Sequence, residues 1–399
     1  MSLRRALLLA LLIASTGCGS SGGTVAPAAR IELAGTADMV RGVAGERDLL
    51  ASGFAAGSLT WRLVGGELPP GLGLEADVAC PTWAPFADTG ALDDTVPGVL
   101  DEVSGIAVSR RNPGIYWVHD DSGGGALLHA LTTAGVLRQT YALGVTAVDW
   151  EDLALGPGPD PALEYLYVGD VGDNGTNRPH ATLLRVEEPI VPAVRGPTID
   201  VALEAFAFTY PDGAVDCEAL FLAPDTGKPY FVEKRESGGG DVFSLPLPLD
   251  PSWTAALPVT AERITTGRPM PAFATAADAS RDGRRVVVRT YFGGVEYVRQ
   301  QGQPFESMFG AARCTLALPS LQQFEAIAYG PSGLSMVTTT ERVFSEASLY
   351  TSTASLAGPI ARLVGTPTAV GAWTFMVEAR HDDSTTASVA ITLEVSAGS

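Results

Sequence analysis

Between about residues 79 and 360 one short pattern recurs: a strand that opens on polar positions, a Gly or Pro turn, a second apolar strand, and two weaker strands. The first strands align as Glu102-Val103-Ser104-Gly105-Ile106-Ala107, Asp149-Trp150-Glu151-Asp152-Leu153-Ala154, Asp216-Cys217-Glu218-Ala219-Leu220-Phe221, Phe273-Ala274-Thr275-Ala276-Ala277-Asp278 and Gln323-Phe324-Glu325-Ala326-Ile327-Ala328. Turns such as Asn112-Pro113-Gly114, Asp225-Thr226-Gly227 and Asp282-Gly283 follow, with the residues that tight connections need. The second strands read Ile115–Val118, Tyr165–Val168, Tyr230–Val232, Val286–Val288 and Leu334–Val337. The marker residues Ser104, Glu151, Glu218, Thr275 and Glu325 lie 47, 67, 57 and 50 residues apart. Four-stranded units at this spacing are the signature of β-propeller blades, so an all-β fold with a five-bladed propeller is expected. Six blades is the alternative and needs a further unit. The stretch from Cys80 to Pro97 is poor in strand formers and is expected to give at most an outer strand that closes the ring on the last blade.

The flanks carry a different pattern. Leu63, Leu72 and Leu74 alternate with small or polar residues around Pro69-Pro70-Gly71, while Trp373, Phe375 and Val377, then Val389, Ile391, Leu393 and Val395, keep a period of two. Strands with one buried face have this period. Trp61-Arg62-Leu63 and Leu68-Pro69-Pro70-Gly71-Leu72, followed far along the chain by Gly365-Thr366-Pro367-Thr368, resemble the Ig-like, cadherin-like module of bacterial surface proteins. The resemblance implies one β-sandwich whose halves, 30–78 and 360–397, are separated by an inserted propeller over 79–359. A closed propeller permits this, because its first and last strands share a blade and its ends lie together.

The insertion also resembles a family of bacterial extracytoplasmic β-propellers related to phytase-like esterase domains. The matching landmarks are Ser104 to Ser109, His119-Asp120-Asp121-Ser122-Gly123, Asp149 to Leu153, Gly169-Asp170-Val171-Gly172-Asp173-Asn174 and Asp216 to Leu220. That likeness implies the fold more than an activity.

Residues 1–18 read as a lipoprotein signal: Arg4-Arg5, an apolar run from Ala6 to Ile13 that is too short to span a bilayer, then Ser15-Thr16-Gly17-Cys18. Cys18 is the expected lipidation site and 19–29 a flexible tether; an ordinary cleaved secretory signal is the alternative. Both place the mature chain outside the cytoplasm, and the lipid reading puts it on the bacterial cell envelope, facing periplasm or exterior, with the lipid as its sole membrane contact. With 45 acidic against 26 basic residues the chain is a poor partner for nucleic acid or anionic membrane surfaces. A small molecule, glycan or surface ligand is the expected partner, and the chain is expected to be a monomer.

Of the remaining cysteines, Cys217 lies inside a strand between two carboxylates, which favours a Cys80–Cys314 bridge and leaves the other pairings open. His119, His129, His180 and His381 have no zinc-site spacing, and no Gly-x-Ser-x-Gly, His-Glu-x-x-His or P-loop motif is present. Asp170 to Gly175 lacks the order of an EF-hand loop and reads as a turn.

First-strand starts and second-strand ends open onto one face of a propeller. Glu102, Asp149, Asp216 and the markers Glu151, Glu218 and Glu325 therefore meet at one channel mouth, beside Asp120, Asp170, Lys234 and Arg289. Lys234 is one of two lysines in the chain. Crowded carboxylates need protons or a cation, and their hard oxygens suit calcium, with the six first-strand carboxylates as ligands. The expected function is ligand binding, with Glu102, Asp120, Asp149, Asp170, Asp216 and Glu325 lining the site. The enzyme alternative is a hydrolase: a calcium-dependent phosphoesterase in which Glu151 or Glu218 positions water and Lys234 and Arg289 hold phosphate, or a glycosidase using two carboxylates. The plain alternative is that these acids bond backbone amides and tie the ring together.

Overall fold

The computed structural model describes residues 29–33, 38–43, 45–52, 59–76, 80–92, 100, 102–121, 125–264, 266–299, 303–311, 313–319, 324–340, 347–357, 360–381 and 384–397. The signal segment, Cys18, Gln323 and Glu341 lie outside them. The described residues are built of β-strands in several sheets, with one short 3-10 helix at Phe305–Gly310. No helix among them is long and apolar enough to cross a membrane.

Four separate sheets and one end of a nine-stranded sheet each begin with one of the five aligned strands: Val103–Val108, Trp150–Pro157, Cys217–Leu222, Ala274–Ala279 and Phe324–Tyr329. Each pairs antiparallel with the second strand of its unit: Ile115–Asp120, Glu164–Asp170, Pro229–Glu233, Arg285–Thr290 and Ser335–Thr340. The five first strands touch one another in sequence, and the last touches the first, so they form a closed cycle. Apart from the marker residues, Asp152 and Asp278, their residues are apolar or small rather than alternating, because both faces are buried.

Two carboxylates tie this cycle together from inside. Asp152 accepts hydrogen bonds from its neighbour Leu153 N at 2.8 Å and, through Oδ2, from Leu220 N at 2.8 Å and Ala277 N at 2.9 Å, which lie on two other first strands. Asp278 accepts from Ala279 N at 2.8 Å and from Tyr329 N at 2.7 Å on the fifth. Hydroxyls add to this: Ser104 donates to Glu151 O, and Thr275 donates to Phe324 O at 3.3 Å.

The cycle closes as expected. The last ring sheet takes its outer strand from Ala87–Ala91, with Ala91 opposite Ser348 and Ala87 opposite Thr351. Cys80 is bonded to Cys314, the favoured pairing, and so ties the segment before this strand to Arg313–Leu316 in the fourth sheet. Cys217 is a buried free thiol.

The flanks meet in one core. Leu59–Gly66 pairs with Gly371–His381, placing Trp61 opposite Ala379, and Leu72–Ala76 pairs with Ile360–Gly365. Trp61, Leu74, Leu363, Phe375 and Leu393 are buried together, with Trp373 packed against them. The two distant sequence motifs touch directly. Gly71 has φ +84°, and a Cβ there would lie 2.0 Å from Thr366 O, so only glycine fits, while Thr368 N donates to Pro70 O at 2.9 Å.

Replacing Asp152 by alanine strands two buried N–H donors on different strands, at a cost of about 1–3 kcal/mol each. The expected outcome is a loss of about 2–6 kcal/mol in urea unfolding, with Asp152→Asn losing less because its amide oxygen still accepts. A change below about 1 kcal/mol for the alanine variant would show that the bonds are not a staple.

Candidate functional site

Each first strand carries a β-bulge, and in all five it falls on the marker residue. The register slips between Val103 and Gly105, Trp150 and Asp152, Cys217 and Ala219, Ala274 and Ala276, and Phe324 and Ala326. Ser104, Glu151, Glu218, Thr275 and Glu325 are therefore the unpaired extra residues, and a bulge is a device that re-aims a side chain. All five are buried.

The carboxylates at the strand starts gather around Glu151. One oxygen each from Asp121, Asp149 and Glu151 lie within 4.8 Å of one another, and so do oxygens from Glu151, Asp216 and Glu218. Gly172 makes room for this: a Cβ there would lie 2.0 Å from Glu151 Oε1 and 2.7 Å from Asp149 Oδ2. Asp121 and Asp149 are also joined by a side-chain hydrogen bond.

Electrostatics at this cluster follow from burial. Desolvation, then the charges of Glu218, Asp121, Asp149 and Glu325, push the Glu151 carboxyl well above the usual range. Burial pushes Glu218 up to about 8, although Lys234 opposes the shift. Asp149 and Asp216 are raised too, again chiefly by burial. Burial alone would lower the Lys234 ammonium; its ion pair with Glu218 and its bond to Tyr291 OH at 3.1 Å more than offset this and hold it above the usual lysine range.

The expected site residues separate into groups. Asp149, Glu151, Asp216 and Glu218 converge, with Glu325 buried close enough to act on Glu151 and Glu218. Asp216 keeps one oxygen on Asp173 N at 2.8 Å. Glu102 is exposed and in neither triad. Asp120 accepts from Leu100 N at 3.0 Å, and Asp170 accepts from Val148 N, Asp149 N and, at 2.7 Å, Arg178 Nη2. These two acids bond backbone amides, as the plain alternative expects. Arg289 is fully buried: its Nε and Nη2 donate to Phe324 O and Pro319 O, and its guanidinium stacks 4.4 Å from the Phe324 ring centroid. It joins the fourth and fifth sheets through these carbonyls, and its charge acts through space on Glu325. The Asp170 to Gly175 segment is a turn, in which Asp173 accepts from Asn177 N and Arg178 N.

Sequence reading missed the aromatic side of the site. Lys234 lies 5.2 Å from the Tyr291 ring centroid, and Phe273 contacts both Tyr291 and Phe292. Phe292 is 74% exposed. Phe273 has φ +56°, a conformation that costs an aromatic residue strain and that tends to accumulate at functional sites. The one available signal was Phe273 itself, the apolar member of an otherwise polar column.

No family model and no curated protein matches the chain. Among solved structures it is similar to one in a nidogen/laminin complex, at 11% identity and TM-score 0.26, over 51% of this chain and 56% of that one. It is also similar to a Trichoderma reesei carbohydrate-active enzyme of family AA12, at 11% identity and TM-score 0.33, over 70% and 98%. A third is in the complex of KlAtg21 with the coiled-coil of AgAtg16, at 10% identity and TM-score 0.29, over 63% and 71%. Likenesses this weak bear on neither activity nor ligand.

The raised Glu151 carboxyl makes stability depend on pH. Glu151 holds its proton more tightly folded than unfolded, so its contribution is complete below the ordinary glutamate range near pH 4.5 and is lost as pH rises above it. In chelator, Glu151→Gln is expected to melt with wild type at pH 4 and above it at pH 8. Equal melting temperatures at both pH values would show that Glu151 carries no ionisation cost.

Proposed function

We propose that the ring of sheets is a five-bladed β-propeller inserted into a split Ig-like module, that the chain is a lipoprotein held on the cell envelope through Cys18, and that the acidic mouth of the propeller binds calcium as part of a ligand site. The observation that carries the metal reading is the pair of carboxylate triads sharing Glu151. A spread of 4.8 Å is the greatest separation that two oxygens can have when both lie about 2.4 Å from one calcium ion. The donor set is all oxygen, as a hard cation prefers. Asp149, Glu151, Asp216 and Glu218, with Asp121, would hold the ion, and the ion would supply positive charge that lets buried carboxylates ionise and leaves coordination positions for a ligand oxygen.

The mouth also has directional sense. Leu334 and Ala354, at the far end of the last sheet, are buried in the core built by the two flanks. The mouth therefore lies at the end of the last sheet away from the flanking core.

A second reading rests on a different feature of the same cluster. Glu151, strongly biased toward its neutral form, stands beside Glu218, whose rise Lys234 opposes, and two neighbouring carboxyls whose environments separate their proton affinities are the kind of pair that glycosidases use as acid and nucleophile. The phosphoesterase version is weaker, because Arg289 spends two of its nitrogens on backbone carbonyls.

The decisive experiment is calcium titration of the ectodomain, followed by calorimetry and melting temperature. Calcium should raise the melting temperature of wild type at pH 8 and chelator reverse it, while Glu151→Gln with Glu218→Gln responds to neither. Equal shifts in both proteins would remove the metal reading. Turnover of glycoside or phosphomonoester substrates, lost in the same variant, would move the assignment to the hydrolase.

A further inference from the structure

One side of the mouth is built from aromatic rings instead of acids. The column that opens the first strands reads Glu102, Asp149, Asp216, Phe273 and Gln323, so the fourth unit sets a ring where three others set a carboxylate. Tyr291 and Phe292 form the turn between Arg285–Thr290 and Gly293–Val298. Thr290 pairs with Ala274, so this turn lies at the same end of the sheet as Phe273. The three rings pack on one another: the Phe273 centroid lies 5.9 Å from that of Tyr291 and 5.5 Å from that of Phe292, the second contact edge to face.

The trio is tied to the acidic cluster. Phe273 N donates to Arg235 O at 3.0 Å, one residue beyond Lys234. Tyr291 OH accepts from Lys234 Nζ, which also pairs with Glu218. Burial, then the charges of Glu325 and Glu218, raise the Tyr291 phenol. Phe273 and Tyr291 are half-buried and prop Phe292, which stands in solvent. Among the described residues no other Phe, Tyr or Trp side chain is exposed.

The surroundings narrow what could lie on this ring. Anions are repelled by the carboxylates and by a net charge of −19. A cation finds Tyr291 already taken by Lys234, 5.2 Å from the ring centroid, and two like charges there oppose each other. What remains is a neutral ligand with an apolar face and many hydroxyls. A sugar ring has both: its C–H face packs on an aromatic ring, and its rim of hydroxyls bonds carboxylate, ammonium and phenol groups.

We propose that the mouth takes an oligosaccharide, with one sugar ring stacked on Phe292 and its hydroxyls directed toward Lys234, Glu218 and Tyr291. This deepens the ligand site proposed above and rests on it, yet the stacking ring is distinct from the carboxylates that would hold calcium. Phe292 offers an open platform, so the contact needs no enclosed cavity.

The test is calorimetric titration of the full chain, with calcium and with chelator, using cellohexaose, chitohexaose, maltohexaose and xylohexaose, and tetramethylammonium chloride as the cationic control. At least one oligosaccharide should give a saturable signal. Phe292→Ala should weaken it by about tenfold or more while melting with wild type, because the side chain lies mostly in water, and Phe292→Trp should keep it. The melting temperature of wild type against calcium is read in parallel. Sugar binding that Phe292→Ala weakens, without any calcium shift, would uphold the stacking and remove the metal; a calcium shift without a sugar signal would leave the metal and overturn the glycan. A sugar signal unchanged in Phe292→Ala, or binding of tetramethylammonium in place of every sugar, would also overturn the assignment.

Discussion

Strand Ser348–Ala357 belongs to two units at once, and the remainder of the structure depends on how its edges are filled. On one edge it pairs with Ser335–Thr340. Along the other it meets in turn Ala87–Ala91, Thr82-Trp83 and Thr60-Trp61. The first of these pairings joins the beginning and end of the ring in one sheet, and the last carries the strand into the sheet that buries Trp61. An exposed edge at either place would leave unpaired backbone groups and an open ring. The same strand thus fixes closure and the attachment of the flanks, and closure brings five strand starts together.

Convergence of those starts is what makes the acidic residues matter. In an open sheet Glu151, Glu218 and Glu325 would each face water and ionise. In the ring they are buried beside one another, and the proton affinity of Glu151 and Glu218 rises because the charged forms lose solvent and repel. The protein answers in two ways. Aspartates just along the chain, Asp152, Asp170 and Asp278, are saturated with N–H donors and act as ties. The glutamates on the bulges are left out of the ladder, one methylene longer and turned toward the cluster, with Lys234 as a partial counter-charge.

Much of the architecture was legible in the chain. Strand–turn–strand units recurred at a spacing that antiparallel sheets require, and the second strands fall where their apolar runs predict. Pro69-Pro70-Gly71 and Gly365-Thr366-Pro367-Thr368 are in contact across almost the whole sequence, because a positive-φ glycine and its partner carbonyl leave a signature that distance along the chain does not erase. The Cys80–Cys314 bridge, the favoured pairing, is the one formed.

The fate of each acid was not legible. A period of two predicts that residues two apart share a face, yet the bulge at every marker residue breaks that period, and nothing in a single strand announces it. Whether an aspartate is a tie or a ligand is decided by amides on other strands: Asp152 is bonded by Leu220 and Ala277, and Arg289 by the carbonyls of Phe324 and Pro319. The sequence by itself determined the all-β character, the repeated unit and the reunited flanks, because these rest on local propensity and periodic burial. Tertiary structure alone decided which carboxylates converge, which of them Lys234 pairs with and where aromatic rings face solvent, because those depend on distances between side chains that only the closed ring brings together.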